Sequence, residues 1–288
     1  MSSTELSVEE RGIKREDSFH GKSEEKMRIF GIYKQRYRFR KYMAEFFGTA
    51  ILLFFGTSVV ATVTFNPAFE AAKWVIISFG WGFGLIMALY VSMGVSGGHL
   101  NPAITIASAV YGRFPLNQVA GYIISQVLGA FIGAAFTYGV FRGNFGQEGY
   151  NEKTLSGQYA TGGIFATYPA PTNSTWDSFY TEMLLTALLA LIVQSMFDSK
   201  MTPAKGYEPI AVGFIVFTIG ICAGTTTGYA INPARDFGPR VFTAIAGWGS
   251  KPFTAANYYF WIPIVAPIIG AIIGVTVYEF FIIPNRDE

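Results

Sequence analysis

Two segments decide the reading: SGGHLNPA at residues 96–103 and TGYAINPA at residues 227–234. In each, a glycine and an apolar residue precede Asn-Pro-Ala, and a short run able to form helix follows. The two are 232 − 101 = 131 residues apart. Proline is favoured at the first helical position, where its missing N–H costs nothing and its φ is already set. Pro102 and Pro233 therefore predict short helices of about ten residues, half of what a membrane crossing needs. Two half-helices entering from opposite sides would meet with their positive dipole ends facing. Asn101 and Asn232, at the caps, could then turn amide N–H groups toward a passing oxygen. Irregular backbone at membrane depth is tolerated only where it lines a wet cavity or is buried in protein. A third Asn-Pro-Ala stands at 66–68, and its counterpart near 200 would fall in SKMTPAK, which has no Asn-Pro. That copy is read as an external-loop coincidence.

Working outward, the two halves of the chain match. AEFFGTAILL around Glu45 corresponds to TEMLLTALLA around Glu182, an offset of 182 − 45 = 137. Gly129 and Gly133 correspond to Gly270 and Gly274, an offset of 270 − 129 = 141. Three landmarks at nearly constant offset indicate an internal duplication. Glycines four apart suit close helix packing in lipid.

Apolar stretches long enough to span a hydrocarbon core run roughly over 42–62, 75–95, 117–140, 178–197, 209–231 and 257–278. Glu45 and Glu182 are their only acids, and they contain no Lys or Arg. Each half then holds three spans, so the second inserts upside down, and inverted repeats place the functional site near the midplane. The fold class is an all-α membrane protein with six transmembrane helices and two re-entrant half-helices. Residues 22–41 hold eight basic residues, which predicts a cytoplasmic N-terminus and, after six spans, a cytoplasmic C-terminus.

Composition agrees. The chain of 288 residues is 51% hydrophobic and only 14% charged, against about 25% charged in soluble domains. A net charge of +2 is too small to suggest nucleic acid, one cysteine excludes an internal disulfide framework, and two histidines leave little for a metal site. The expected organisation is a charged tail over 1–39, disordered at its start, and a channel domain over 40–284. Within the latter, repeat one covers about 42–141, a polar external loop 142–177 and repeat two 178–283. Asn173-Ser174-Thr175 is a glycosylation acceptor pattern on that loop. The alternating IYKQRYRFRKY at 32–42 is read as a topology-fixing basic flank, with pore regulation as the competing idea.

SGGHLNPA and GYAINPARDFGPR resemble the two signature loops of the major intrinsic protein (aquaporin) family, and the likeness covers residues 40–283. The resemblance implies an hourglass fold, a homotetramer with one pore per subunit, and the loop motifs Asn101-Pro102-Ala103 and Asn232-Pro233-Ala234 at the pore. It also implies that Glu45 and Glu182 brace the re-entrant loops. A buried carboxylate needs polar partners, and the unpaired N–H groups of the half-helices are the natural ones. His99 is read as a further loop brace.

The family's narrowest ring maps onto Trp81, Gly220, Tyr229 and Arg235. Water-selective members typically carry histidine where Gly220 stands, so the resemblance implies a wider opening. Arg235 offers several donors in a fixed fork, while Trp81 and Tyr229 can face a carbon backbone, a combination that suits glycerol. Asp236, read as a further loop brace, and Pro263-Ile264 also resemble the glycerol-passing branch. Gly98, where alanine is more usual, is expected to loosen the approach to the first half-helix slightly. Cys222 is read as a packed small residue, with thiol sensitivity of the pore the sharper alternative.

The expectation is a passive channel for glycerol and other small neutral solutes (small polyols, urea), with water permeability and no cofactor. It lies in a lipid bilayer, the plasma membrane by resemblance. A water-selective channel and a coupled secondary transporter are the alternatives. No nucleophile–base pair or metal cluster within the spans suggests an enzyme.

Overall fold

The computed structural model describes residues 33–283 apart from Thr202. The expectations for residues 1–32 and 284–288 lie outside those residues. The chain divides into two units between Lys41 and Tyr42. On the first side only the start of a helix is described, where the Arg40 guanidinium lies 4.1 Å over the Tyr37 ring.

From Tyr42 onward the unit is helical. α1 (Tyr33–Phe65), α2 (Lys73–Ser96), half-helix α3 (Pro102–Val110) and α4 (Leu116–Val140) make the first half. α5 (Thr175–Phe197), α6 (Glu208–Ala223), half-helix α7 (Pro233–Thr243) and α8 (Ile262–Val277) make the second. Five described helical stretches are long and apolar enough to cross a membrane, and α6 is a shorter apolar helix.

One expected span is shorter than read. The fifth was expected over 209–231, but α6 stops at Ala223. Trp74 Nε1 donates to the Gly220 carbonyl at 2.7 Å, which also accepts from the Gly224 N–H, and the Thr225-Thr226-Thr227-Gly228 run that follows is a poor helix former. The chain is thereby freed to descend to Asn232. The sixth, expected over 257–278, falls within the apolar helical stretch Lys251–Ile282, which breaks where Ala256, Asn257 and Tyr258 hold φ of +48°, +55° and +62°, so that α8 itself begins at Ile262. The third Asn-Pro-Ala also has a structural use. Asn66 caps an exposed turn at Pro67–Ala72, accepting from the Ala68 N–H at 3.1 Å.

The two halves pack alike. A Cβ at Gly129 or Gly133 would meet the carbonyl oxygens of Phe46 (2.3 Å) and Ala50 (2.5 Å), so α4 lies directly on α1. A Cβ at Gly270 or Gly274 would meet those of Met183 and Ala187, both at 2.1 Å, so α8 lies on α5 in the same way. Where apolar helices gain nothing from expelling water, contact of this closeness is the main source of association. Gly274→Leu is therefore expected to separate α8 from α5 and abolish a monodisperse peak in detergent size-exclusion; normal elution would show the contact to be dispensable.

Between halves, α2 packs on α6 with a Cβ at Gly213 meeting the Gly82 carbonyl at 2.7 Å, and α4 packs on α7 through Gly238. The counterpart of the second contact is α8 on α3. Each half-helix is thus held by the third long helix of the opposite half.

The external connection is ordered by its own chemistry. Ser174 and Asp177 form a reciprocal cap on α5. The amide nitrogen of Asn173, within the glycosylation pattern, donates to the Thr226 carbonyl at 3.1 Å.

Candidate functional site: a pore between facing half-helices

The half-helices begin where the sequence places them. Asn101 Oδ1 accepts from the Ala103 N–H at 2.9 Å. Asn232 Oδ1 accepts from those of Ala234 and Arg235 at 3.0 and 3.2 Å. Each amide nitrogen reaches across to the other repeat. Asn101 Nδ2 donates to the Ile231 carbonyl at 2.9 Å, and Asn232 Nδ2 to the Leu100 carbonyl at 2.8 Å. One N–H of each amide is therefore used to join the repeats, and the geometry leaves a second per asparagine.

Directly before each asparagine the backbone is strained. Leu100 and Ile231 hold φ of +47° and +44°, a region costly for any residue with a Cβ and worst for a β-branched one. The two glutamates hold it. Glu45 accepts from the backbone N–H groups of His99 (3.0 Å) and Leu100 (2.7 Å) and from the Ser96 hydroxyl (2.6 Å). Glu182 accepts from those of Ala230 (2.9 Å) and Ile231 (2.7 Å) and from the Thr227 hydroxyl (2.6 Å). The three donors correspond across the 131-residue offset: 96 to 227, 99 to 230, 100 to 231. This corrects the expectation that the glutamates serve the half-helix N–H groups. Those are capped by the asparagines, and the carboxylates serve the extended residues ahead of them.

Symmetry breaks at Gln126, which donates to Glu45 Oε2 at 2.7 Å, while among the described residues no side-chain amide donates to Glu182. His99 braces by its backbone, and its Nδ1 lies 3.1 Å from Thr105 Oγ1. Gly98, at φ +64°, corresponds to Tyr229, at φ +38°. A Cβ at Gly98 would meet Leu89 Cδ2 at 2.8 Å, so alanine would crowd this turn rather than merely tighten the approach.

A cavity of about 340 Å³ runs past both asparagines. Leu52, Leu85, Leu89, Val212 and Val216 supply apolar lining, and the loop residues 97–100 and 229–231 line it as well. Trp81, Tyr229 and Arg235 lie at one end. There the Arg235 guanidinium stacks 4.0 Å over the Trp81 ring, and its Nη1 donates to the Phe165 carbonyl at 3.3 Å. Arginine and tryptophan are therefore in contact rather than facing each other across the opening. Gly220 does not line the cavity. A Cβ there would meet Tyr229 Cζ at 2.8 Å and its hydroxyl at 3.0 Å. The room left by the glycine is filled by the Tyr229 ring, so Gly220 widens the passage only by letting Tyr229 lie back.

Asp236 braces the external loop. Its Oδ2 accepts from Thr167 N and Oγ1 at 2.8 and 2.5 Å, and its carboxylate pairs with Arg240 at 2.7 Å. Arg240, fully buried, also donates to the carbonyls of Thr167 and Pro252, both at 2.6 Å. These contacts fasten the external loop to α7, and that loop supplies the Phe165 carbonyl on Arg235. Phe165, Thr167 and Arg240 were not singled out from sequence. Only the Asp236–Arg240 spacing of four on a helix gave a readable sign. Cys222 is exposed and absent from the cavity lining, which corrects both readings made of it. Among the described residues no cluster of metal-ligating side chains occurs.

The comparisons with known proteins agree with this architecture. Aquaglyceroporin-3 of Trypanosoma brucei brucei is 48% identical over 247 residues, covering 86% of this chain and 80% of the relative. Human aquaporin-9 is 39% identical, covering 85% and 83%. The X-ray structure of the aquaglyceroporin from Plasmodium falciparum aligns with a TM-score of 0.76 at 32% identity, over 85% of this chain and 97% of that one. The family model for the major intrinsic protein matches residues 33–278. With paired half-helices, crossed asparagines and a continuous match over most of its length, the chain is a member of the major intrinsic protein family.

Proposed function

We propose that the chain is a passive channel for glycerol and other small neutral solutes, with water permeability. The observation that carries this is the lie of Tyr229 over Gly220, which leaves an opening flanked by a donor, Arg235, and two aromatic faces. A polyol can give its hydroxyls to the guanidinium and its CH groups to Trp81 and Tyr229. Asn101 and Asn232, each with one N–H beyond those joining the repeats, receive the solute's oxygens at the middle of the cavity. The facing half-helix N-termini and Arg235 raise a barrier to cations and protons. The aquaglyceroporin names of the relatives support the same solute class.

In this reading residues 40–284 form the channel domain and 1–39 a cytoplasmic tail. Both termini face the cytoplasm, the Arg235 end opens outward, and the assembly is a homotetramer in the plasma membrane. Nothing in the site supplies a nucleophile with its base, so transport is the activity expected.

The test is stopped-flow light scattering on reconstituted liposomes. Rapid shrinkage in sucrose and rapid re-swelling in glycerol, unaffected by a pH gradient, are expected. Shrinkage without facilitated re-swelling would mean a water-selective pore, and a dependence on the pH gradient a coupled transporter.

A further inference from the structure

The first turns of α1 carry a run of positive charge that the conduction path does not use. From Met27 to Ala44 the sequence holds six basic residues and no acid. Four of them, Arg36, Arg38, Arg40 and Lys41, lie on the described turns of the helix, the three arginines exposed and Lys41 half-buried. None lines the cavity, and among the described residues none enters an ion pair. At about 100° per residue, Arg36 and Arg40 share one side of the helix, and Arg38 and Lys41 lie on the other. Positive charge therefore surrounds the helix instead of marking one face.

That distribution selects the partner. A helix that docks into a groove, a pore mouth included, presents one face to it. Charge on both sides calls for anionic groups on both sides, which a leaflet of acidic phospholipid supplies. Position agrees, because Tyr42 opens the apolar stretch directly after Lys41, and clustered cations beside a span meet the headgroup layer. The rings between the cations fit the same surroundings. The Arg40 guanidinium lies 4.1 Å over the Tyr37 ring, and that of Arg38 lies 5.5 Å from the Phe39 centroid. Stacking engages the flat face of a guanidinium and leaves its in-plane N–H donors for phosphate oxygens. We infer that Arg36, Arg38 and Arg40, with Lys41, form a collar that binds the phosphates of anionic lipid headgroups.

The test needs no solute flux, so its failure and that of the conduction reading are separate results. The full-length chain in neutral detergent is offered phosphatidylglycerol and phosphatidylcholine of matched acyl chains, and retained lipid is counted by native mass spectrometry. Phosphatidylglycerol is expected to be retained in preference. Arg36→Gln, Arg38→Gln and Arg40→Gln combined in one chain lower its retention about tenfold or more. The corresponding triple lysine variant, which keeps the charge and loses the fork, is expected to lose less. On the unaltered chain, raising ammonium acetate from about 0.05 to about 0.5 M releases phosphatidylglycerol and not phosphatidylcholine, because exposed charges are screened. Equal retention of the two lipids, undiminished retention in the glutamine variant, a lysine variant as weak as the glutamine one, or release that ignores salt would each overturn the inference. Displacement by millimolar glycerol 3-phosphate would overturn it too, since the occupant would then be a free phosphate.

Discussion

Glu182→Leu is expected to yield no folded channel: loss of the monodisperse peak after detergent extraction and no glycerol flux in liposomes. Glu182 is fully buried and is the acceptor for the Ala230 and Ile231 N–H groups and the Thr227 hydroxyl. Leucine fills the volume but leaves three buried donors facing hydrocarbon, each costing about 1–3 kcal/mol. The cost is compounded by Ile231, whose φ of +44° is held by one of those bonds. Once that residue relaxes toward negative φ, its carbonyl turns and the 2.9 Å bond to Asn101 Nδ2 is lost. The two repeats then lose one of their two central ties. Normal elution and flux in this variant would show the loop to be self-supporting and the account of Glu182 wrong.

The second large effect is expected at a residue that never touches the solute. Gly220→Val places a branched side chain where Tyr229 Cζ already lies 2.8 Å from the ideal Cβ position. Neither Tyr229 backbone nor α6 can yield easily: the Gly220 carbonyl is held by Trp74, and the Ala230 N–H by Glu182. The ring is pushed into the lumen. Glycerol permeability should fall by about tenfold or more, what roughly 1.4 kcal/mol on the barrier produces, while water permeability changes less. Tyr229→Ala in the Gly220→Val background is expected to restore glycerol flux, since it removes the displaced ring. A narrowing that Tyr229→Ala does not relieve would mean that the valine obstructs the path itself, and that Gly220 does line the pore.

Much of this molecule was legible in the chain because the signals are local. Asn-Pro at 101 and 232 fixes a cap and a first helical turn from chemistry within three residues. The glycines at 129, 133, 270 and 274 announce close helix contacts, since only a missing Cβ lets backbones approach to that extent. Duplication is visible because both halves solve one packing problem with the same residue types. The family resemblance drawn from these segments holds over residues 33–278.

What the sequence misread depends on residues brought together from far apart. The purpose of Gly220 is set by Tyr229, nine positions on, whose left-handed φ of +38° aims its ring back over α6. The span 209–231 followed hydropathy, which passes over the run of threonines at 225–227 where α6 has already ended. Asp236 serves Thr167, and the Arg235 guanidinium bonds the Phe165 carbonyl, both in a loop that reads as featureless polar chain. By itself the sequence determined which elements exist, their inverted pairing and where the half-helices begin, because capping, periodicity and glycine contacts are encoded within a turn or two. Only the tertiary structure decided the aperture and the bracing. Those depend on angstrom-scale contacts between side chains and groups outside their own helix, as where Glu45 accepts from the His99 N–H, 54 residues on.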